Sequence, residues 1–504
     1  MKRCILLLLS LLLVLCLCAG TAVAEGEEDY SDPRKTAVEV TNESRTIDGN
    51  ISVQGKDTYV TGLLVSEDQG EAVEVTLNGA VTASAETDHL DHQDCTAVSV
   101  NAFGEGSEVS AKLDGSISAT NVWTAGEEMN LDDGALSVWA GDGGKAEVTV
   151  SGDLYADARL LPGKGEGYTW SAGLGAYTGG TGAEVAVTVN GNVTASGDSY
   201  SVGINANNDE TGTILVRVTG DVQGDSLGIR AINWNEESRI DIIVDGTVKQ
   251  SEDGISLEGT CPENITLTVW QAEETARGYI VSVDGEMSEE QAAVAEEHIR
   301  YILRTEERSA GYITAEAPEY LGFRVAGEGE AVKLRVDAPD GFRVASVGGG
   351  RAVPEQDADG NWFLRVPRGG GVELSVDLEQ QISIFRSEDT PQTAALKAAL
   401  AEALPEEAKA LLPAGEEQAA ETVTLRLVCP VPAAVTGNTA FFLTASRPRA
   451  EGETVTVLLA LAGEEHTEWL SLEGTGAADG SVRIVLAPEQ LRLLSYRIFL
   501  AVIL

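Results

Sequence analysis

The sequence predicts an all-β-dominated chain: an N-terminal parallel β-solenoid, then a helix-linked small β module and a C-terminal antiparallel β-sandwich-like domain. Three observations lead to this prediction. A turn phrase recurs seven times between residues 36 and 270, and apolar residues alternate with period two around it. Short alternating segments separated by Gly-containing turns return after residue 308.

The recurring turn joins a turn-forming residue to a glycine. The first residue of each pair is Asp, Asn, Ser or Thr, and the glycine adopts positive φ without strain. Successive glycines are separated by 26 to 39 residues, so loops of variable length are inserted while the phrase itself is kept. The predicted structural turn residues are Gly49, Gly79, Gly115, Gly152, Gly191, Gly220 and Gly246.

Each repeat contains three predicted strands. The first ends at the turn and alternates apolar with polar residues, as Val185, Val187 and Val189 do. The second opens two residues after the glycine, at Ile51, Val81, Ile117, Leu154, Val193, Val222 and Val248. The third is marked by the pairs Ala97-Val98, Ala135-Leu136, Gly173-Leu174, Gly203-Ile204, Gly228-Ile229 and Gly254-Ile255.

One repeat cannot fold alone. Burial of six inward Val, Ile or Leu side chains contributes ~10 kcal/mol, while ordering the ~25 residues of a coil costs more than that in backbone entropy. Stacked coils share their inward side chains and form hydrogen bonds every ~4.8 Å along the axis. We therefore expect seven or eight coils of a three-stranded, right-handed solenoid, in preference to a β-sandwich or a propeller.

The rest of the chain divides by composition. Ser288 and Gln291 form a capping box that opens an amphipathic helix predicted to run to Arg304. A second helical stretch is predicted from Ala394 to Leu412. The predicted segments are a signal peptide (1–24), an acidic leader (25–35), the solenoid (36–271), a capping or linker helix (272–307), a small β module (308–380), a helical linker (381–419) and the C-terminal domain (420–504).

The N-terminus predicts export. Lys2 and Arg3 precede an apolar run that is too short to span a membrane as a helix, and Ala22-Val23-Ala24 follows as a small-x-small cleavage signal. We expect a secreted or extracellular protein that does not span the membrane, with cell-surface association as an option. Cys95, Cys261 and Cys429 lie beyond the predicted cleavage point, and an odd number of distant cysteines is not a disulfide framework.

The charge excludes one class of partner. A formal net charge of −47 repels phosphate backbones, whose binding depends on Lys and Arg, so no nucleic-acid partner is expected. Acidity also keeps a long β protein soluble, and we favour this explanation over a charge-driven function.

One corner of the solenoid predicts a binding face. One position of the third strand lies three residues after the apolar residue of the pairs given above. In successive repeats it is occupied by Asn101, Trp139, Tyr177, Asn207, Ile232 and Glu258. Trp139 and Tyr177 are thus expected one coil apart, with Trp123, Tyr155, Tyr168, Trp170 and Tyr200 in adjacent insertions. Exposed aromatic side chains suit stacking on sugar rings or docking of a protein. The alternative is that they cover the flank of the coil. The predicted ligand-binding residues are Trp139, Tyr177, Trp123 and Trp170.

One inserted loop combines imidazole and carboxylate groups, which suit zinc or a similar divalent cation. A structural zinc site needs defined ligand spacing, and a polar exposed loop explains the same residues. No cofactor is otherwise expected. The candidate metal ligands are Asp88, His89, Asp91, His92 and Asp94.

Three further patterns are similar to catalytic or metal sites, and the sequence around each argues against that role. Gly224-Asp-Ser-Leu-Gly228 matches a G-x-S-x-G elbow, but it lies in a third-strand phrase without an Asp-x-x-His partner. Gly179 to Val185 is similar to one calcium-binding nonapeptide, and a tight turn explains it better. The outward third-strand positions give no calcium-binding carboxylate cluster: they are Ser99, Ser137, Gly175, Asn205, Arg230 and Ser256. No catalytic residue is predicted.

The turn-anchored repeat resembles the parallel β-helix of adhesin-like and autotransporter-passenger proteins. The segment from Asp359 to Val372 is similar to modules that follow such solenoids in secreted bacterial proteins. The resemblance implies a non-enzymatic surface protein that presents its loops to a glycan or a protein. Because this fold also serves enzymes and scaffolds, a polysaccharide-active lyase or hydrolase with a divalent ion and a structural surface-layer component remain alternatives.

Overall fold

The computed structural model describes residues 21–23, 34–88, 92–124, 130–161, 167–249, 254–273, 298–380, 385–386, 410, 421–427, 432–443, 448–462, 467–478, 480–494 and 498–503. The chain forms two compact units. The first contains the residues up to 303 together with 317–331 and 365–372, and the second contains 304–316, 332–364 and the residues from 373 onward.

The first unit is a parallel β-solenoid, as predicted. Sheet A bends at each glycine turn, with arm 1 before the glycine and arm 2 after it, and sheet B carries the third strand of each coil. Arm 1 contains Arg45–Asp48, Ala72–Asn78, Glu108–Asp114, Lys145–Val150, Ala183–Val189, Gly212–Val218, the start of Arg239–Val248, and Ile265–Ala272. Arm 2 contains Thr21–Val23, Asn50–Lys56, Val81–Thr87, Ile117–Trp123, Leu154–Leu160, Val193–Gly197, Val222–Gly224 and the end of Arg239–Val248. Sheet B contains Arg34–Thr41, Tyr59–Glu67, His92–Phe103, Asn130–Gly141, Tyr168–Gly179, Tyr200–Asn208, Leu227–Asn233 and Gly254–Glu258.

A coil is one passage through arm 1, arm 2 and sheet B. The described residues contain seven complete coils, which begin at residues 45, 72, 108, 145, 183, 212 and 239. All pairings between neighbouring coils are parallel, for example Ile117 with Leu154 in arm 2 and Leu136 with Leu174 in sheet B. This arrangement excludes the sandwich and propeller alternatives for this half of the chain.

The seven turn glycines lie in a single file. A Cβ atom built on Gly115 would lie 2.6 Å from the carbonyl oxygen of Gly79, and one built on Gly152 would lie 2.6 Å from the carbonyl carbon of Gly115. The same overlap recurs from Gly191 to Gly152 and from Gly220 to Gly191. Each glycine therefore touches the backbone of the previous one.

The physical reason for these glycines differs from the predicted one. Gly49 has a φ of 103°, but Gly115 at 158° is close to extended backbone, and the other five do not have a left-handed φ. Glycine is required because the backbones of successive turns approach more closely than a side chain allows. The positions were predicted correctly, whereas the explanation by positive φ holds only for Gly49.

A ladder of polar side chains joins the turns. In five of the seven described coils, the residue after the glycine uses its side-chain oxygen to accept a hydrogen bond from the equivalent backbone N–H of the next coil. Asn50 does so from Ala80 at 2.9 Å, Asp153 from Asn192 at 2.7 Å, and Asn192 from Asp221 at 2.9 Å. These bonds satisfy N–H groups that the bend removes from the sheet.

The core is a set of apolar columns. The third-strand apolar residues pair in register along sheet B and are at most 2% exposed: Leu63, Val98, Leu136, Leu174, Ile204, Ile229 and Ile255. The residue before them is small because arm 2 packs against it. A Cβ atom on Gly173 would lie 2.7 Å from Cγ1 of Val193. The small-apolar residue pairs predicted in the third strand are thus the residues through which sheet B packs against arm 2.

The solenoid ends where parallel pairing changes to antiparallel pairing. Ile299–Thr305 pairs in parallel with Ile265–Ala272, and Phe323–Ala326 pairs with it in the antiparallel direction. The helix predicted to run to Arg304 is therefore wrong over its last residues. Ile299, Tyr301 and Ile302 are buried in the strand, as suits β-branched and aromatic side chains. The capping box lies outside the described residues.

The second unit is antiparallel. A four-stranded sheet contains Ile313–Glu316, Ala331–Val336, Trp362–Arg365 and Glu355–Gln356, while Phe342–Gly348 pairs with Val372–Gln380. The first unit also has the short strand Glu319–Tyr320. A seven-stranded sheet contains Phe385–Arg386, Glu421–Leu427, Ile498–Ile503, Thr454–Ala462, Thr467–Gly476, Val482–Leu486 and Thr439–Leu443. Among the residues described in the two units, the helical elements are the short 3-10 turns Pro262–Asn264 and Glu307–Ser309 and the α-helix Pro488–Leu493.

The predicted all-β class and the antiparallel character of the C-terminal part are confirmed. The helix predicted from Ala394 to Leu412 lies almost wholly outside the described residues. Thr467–Gly476, which the alternating pattern did not predict, pairs through Thr475 with the full length of Thr454–Ala462. Within the part of the chain that the structure describes, no helix is both long and apolar enough to cross a membrane.

Candidate functional site

The candidate site is the outer surface of sheet B in coils 3 to 7. Two outward columns run from coil 2 to coil 7, and their members in coils 3 to 7 line the site. Both columns follow the register predicted from the sequence. The first contains Ser99, Ser137, Gly175, Asn205, Arg230 and Ser256 in successive coils. The second, two residues further along each strand, contains Asn101, Trp139, Tyr177, Asn207, Ile232 and Glu258.

Trp139 and Tyr177 form one aromatic pair on this face. Their ring centroids lie 5.6 Å apart, with an angle of 31° between the ring planes. The Trp139 side chain is 36% exposed, and Tyr177 is partly buried beside it. Aromatic pairs at this separation gain ~0.5–1.5 kcal/mol beyond their buried area. The two residues that the sequence placed one coil apart are therefore in contact.

Tyr177 lies over its own strand because Gly175 has no side chain. A Cβ atom at Gly175 would lie 2.6 Å from both Cε2 and the hydroxyl oxygen of Tyr177. That hydroxyl accepts a 3.1 Å hydrogen bond from Nδ2 of Asn205, the register partner of Gly175 in the next coil. Burial raises the pKa of Tyr177, so its hydroxyl keeps its proton at neutral pH.

Trp170 and Tyr200 form a second aromatic pair. Their rings are stacked, with centroids 4.9 Å apart and an angle of 25° between planes. The guanidinium carbon of Arg230 lies 5.7 Å from the centroid of the Trp170 ring, within the range of a cation–π contact. Trp170, Tyr200 and Arg230 belong to coils 4, 5 and 6, so three successive coils assemble this group.

Arg230 is held in place by Glu258 of coil 7. Its Nε and Nη2 atoms donate to the two carboxylate oxygens of Glu258 at 2.9 and 2.7 Å, and Ser256 Oγ donates to the same carboxylate at 2.7 Å. Burial raises the pKa of Glu258, but the hydrogen bonds from Arg230 and Ser256 outweigh it, and the net pKa is lowered. The hydrogen bond to Glu258 raises the pKa of Arg230. The pair is therefore ionised at neutral pH.

Together these residues form the aromatic face: Trp139, Tyr168, Trp170, Tyr177, Tyr200 and Arg230. Tyr168 is 45% exposed at the start of its strand, where partial burial raises its pKa. The Tyr177 ring folds back over Gly175, toward the Trp170–Tyr200 pair on the same sheet. The face thus offers two ring pairs on one sheet, with Asn205, Asn207 and the Arg230–Glu258 pair beside them.

Trp123 does not belong to this surface, so its prediction as a ligand-binding residue is wrong. It is 1% exposed and packs against Leu131 and Leu160. Trp123 continues the inward series Ile117, Ala119 and Asn121 of its strand, so the period-two pattern itself carried the signal for its burial.

The predicted metal loop is only partly visible. Residues 89–91 and the His92 side chain lie outside the described part of the structure. Asp88 forms an ion pair of 3.0 Å with Lys56. Among the described residues, no group of three or more His, Cys, Asp or Glu side chains could hold a metal ion. The described residues therefore contain no ligand cluster that supports the divalent-cation hypothesis.

The segments Gly224–Gly228 and Gly179–Val185 form a coil corner and a tight turn, respectively. Ser226 is 7% exposed, and its Oγ accepts a hydrogen bond of 3.1 Å from the backbone N–H of Ser201, which fits a solenoid corner. Gly180 and Gly182 have φ values of 103° and 75° immediately before the strand Ala183–Val189, which is the geometry of a tight turn.

Two cysteines are described, and both are free thiols. Cys95 is fully buried beside its register partner Asp133, whose Oδ2 accepts a 2.6 Å hydrogen bond from the backbone N–H of Asp157. Burial raises the pKa of both the Cys95 thiol and the Asp133 carboxyl. Cys95 is therefore an unreactive core residue, and Cys429 lies outside the described residues.

Comparisons with protein-family models, curated proteins and solved structures gave no match to this chain. The chemistry and geometry of the aromatic face are therefore the evidence on which a function can be proposed.

Proposed function

We propose that this protein is a secreted, non-enzymatic bacterial binding protein that uses the aromatic face of its solenoid to hold a glycan or a surface protein. The observation that carries the proposal is the pair of aromatic contacts, Trp139 with Tyr177 and Trp170 with Tyr200, built on neighbouring coils of one rigid sheet. Preformed aromatic platforms lose little side-chain entropy on binding, which favours recognition.

The chemistry of the face also supports binding over catalysis. Glu258 is engaged by Arg230 and Ser256, so it is poorly suited to transfer protons. The outward columns supply hydroxyl, amide and aromatic groups, which position a ligand without activating it. The export signal predicted at the N-terminus and the resemblance to adhesin-like β-helices support a location outside the cell.

The experiment is a binding assay with aromatic variants. The secreted protein, Trp139→Ala/Tyr177→Ala and Trp170→Ala/Tyr200→Ala are applied to a glycan array and to bacterial and host cell surfaces. Each double variant is expected to lose at least tenfold in affinity, since loss of one aromatic anchor removes more than ~1 kcal/mol. Tyr155→Ala is the matched control, because Tyr155 is also 36% exposed but lies on arm 2.

Retention of full binding by both double variants would contradict the proposal. Release of shorter oligosaccharides from a bound polysaccharide would replace it with the enzymatic alternative. Sequencing the N-terminus of the secreted protein tests export, and a start near Glu25 is the expected result.

A further inference from the structure

We infer that the aromatic face binds a neutral glycan chain that runs along the strands of coils 4 and 5 and forms hydrogen bonds with the amides of Asn205 and Asn207. This inference rests on the proposed binding function and specifies the chemical class of the ligand.

The first observation is an incompletely satisfied amide. Asn205 is 5% exposed, and its Nδ2 donates to the Tyr177 hydroxyl, whereas its Oδ1 has no hydrogen-bond partner in the part of the chain that the structure describes. Reversing the amide would exchange its ends, because a tyrosine hydroxyl can also donate, and would leave the nitrogen without a partner instead. In either orientation one end of this amide is unsatisfied, which is unusual for a buried polar group.

The second observation is that the next outward amide shares this property. Asn207 lies two residues along the same strand and is the register partner of Tyr177, and its Oδ1 also lacks a partner among the described residues. By contrast, Asn101, in the same column but three coils earlier, is not among the described side chains with a buried unpartnered oxygen, and its Nδ2 donates to Ser99 Oγ. Unpartnered acceptors therefore occur beside the aromatic pairs, where a ligand would supply the missing donors.

The position of Asn205 defines the route to these amides. Tyr177 lies on one side of Asn205, and Arg230, its register partner in coil 6, lies on the other. A ligand that stacks on the aromatic rings passes between these two side chains. A sugar hydroxyl both donates and accepts, so it satisfies the amide in either orientation.

The pattern of the face favours a glycan over a protein. A protein interface has a continuous apolar centre surrounded by a polar rim. Here the apolar surface consists of two small ring pairs, and the residues beside them include Gly175, Asn205 and Asn207. Alternating ring and hydrogen-bonding surfaces match a chain of sugar rings with hydroxyls at their edges.

The charges favour a neutral glycan over an acidic one. Arg230 is the cation on this face in the described structure, and it is engaged in both carboxylate contacts of Glu258. The chain as a whole carries a net charge of −47, which repels polyanions. An acidic polysaccharide would meet a negative field without a free counter-charge.

The test is a titration of the full-length secreted protein by calorimetry. The probes are hexasaccharides and disaccharides of neutral glucans, mannans and xylans, together with oligogalacturonate and hyaluronan oligosaccharides. We expect a neutral hexasaccharide to bind more tightly than the matching disaccharide, because the longer chain contacts both aromatic pairs and the amides at once. Asn205→Ala and Asn207→Ala should each weaken binding about tenfold. Asn101→Ala should bind like the unmodified protein, because Asn101 has no buried unpartnered oxygen among the described residues and lies in coil 2, away from both aromatic pairs.

Four results would overturn the inference. Unchanged affinity in both asparagine variants would exclude the amide contacts, and tighter binding of the acidic probes would exclude a neutral ligand. If no oligosaccharide binds while the aromatic double variants still lose a protein or cell-surface partner, the glycan assignment fails but the proposed function stands. If the aromatic variants lose no partner of any kind, both fail.

Discussion

The glycine corner and the outer surface of sheet B are built by the same coils but obey different rules. At the corner, each coil repeats the same chemistry, a glycine followed in most coils by a polar residue that bonds to the next coil. On sheet B, one column changes from Asn101 through Trp139 and Tyr177 to Glu258. Repetition at the corner fixes the spacing of coils, and that fixed spacing allows unlike side chains on sheet B to form one surface.

The largest predicted effect comes from breaking the glycine file. Gly152→Val places a side chain where a Cβ atom alone would be 2.6 Å from the backbone of Gly115. We expect a loss of more than about 3 kcal/mol in the free energy of unfolding, or failure to fold, because backbone cannot yield as a flexible side chain does. Urea denaturation followed by circular dichroism measures it.

The control for this substitution is Gly182→Ala. Gly182 has a φ of 75°, but a Cβ atom there meets nothing within 4 Å. A cost of only about 1 kcal/mol is expected from backbone strain. Equal losses at the two positions would show that close approach is not what requires glycine at the corner.

The next prediction separates the two faces of a single strand. Leu136 is fully buried in the inward column, and Trp139 lies three residues away on the outer surface. Leu136→Ala should cost about 2–5 kcal/mol through loss of burial and a cavity, whereas Trp139→Ala should cost no more than about 1.5 kcal/mol. Thermal and urea unfolding of the two variants give the comparison, and a larger loss at Trp139 would contradict the assignment of inside and outside.

The buried carboxyl of Asp133 predicts how the stability of the protein changes with pH. Burial raises its pKa, so this carboxyl favours folding in its neutral form and opposes folding once it ionises. The stabilising contribution of the neutral Asp133 carboxyl is fully present below the unfolded pKa of about 3.9. It is lost as the pH rises toward the folded pKa. Asp133→Asn should therefore become progressively more stable than the unmodified protein as the pH rises, by about 1–3 kcal/mol at alkaline pH.

The measurement for Asp133 is the urea midpoint of both proteins across a pH series. Asparagine keeps an oxygen that accepts the backbone N–H of Asp157, so the comparison isolates ionisation. A constant difference in stability at every pH would show that Asp133 does not titrate in this way.

The smallest effect is expected on the outer surface. Glu258 has a lowered pKa, so its stabilising contribution is present above the unfolded pKa of about 4.3 and is lost as the pH falls through the folded pKa. Glu258→Gln should cost about 0.5–1 kcal/mol at neutral pH and nothing in strong acid, because the ion pair is still partly open to solvent. Thermal unfolding at both pH values tests this, and a cost that persists in acid would assign it to packing instead.

The sequence predicted the regular corner better than the variable face. Glycines such as Gly152 and Gly191 were located because the phrase recurs, but φ values could not be read from residue type, so close approach was missed. The pairing of Trp139 with Tyr177 followed from the repeat. Counting four residues back from Leu174 and Ile204 would also have aligned Trp170 with Tyr200. The placement of Arg230 over Trp170 could not be predicted, because a long side chain that reaches across two coils leaves no pattern in the sequence.

The most direct test of the account is the spacing of the coils. Spin labels are placed by cysteine substitution, in a protein whose native cysteines are replaced, at outward positions of one arm 2 column: Ser52 with Thr194, and Ser52 with Gln223. These positions lie four and five coils apart in the register. At ~4.8 Å per coil, double electron–electron resonance should give distances of about 19 and 24 Å between them. Distances that do not increase with the number of intervening coils would contradict the stacked solenoid and the binding face built on it.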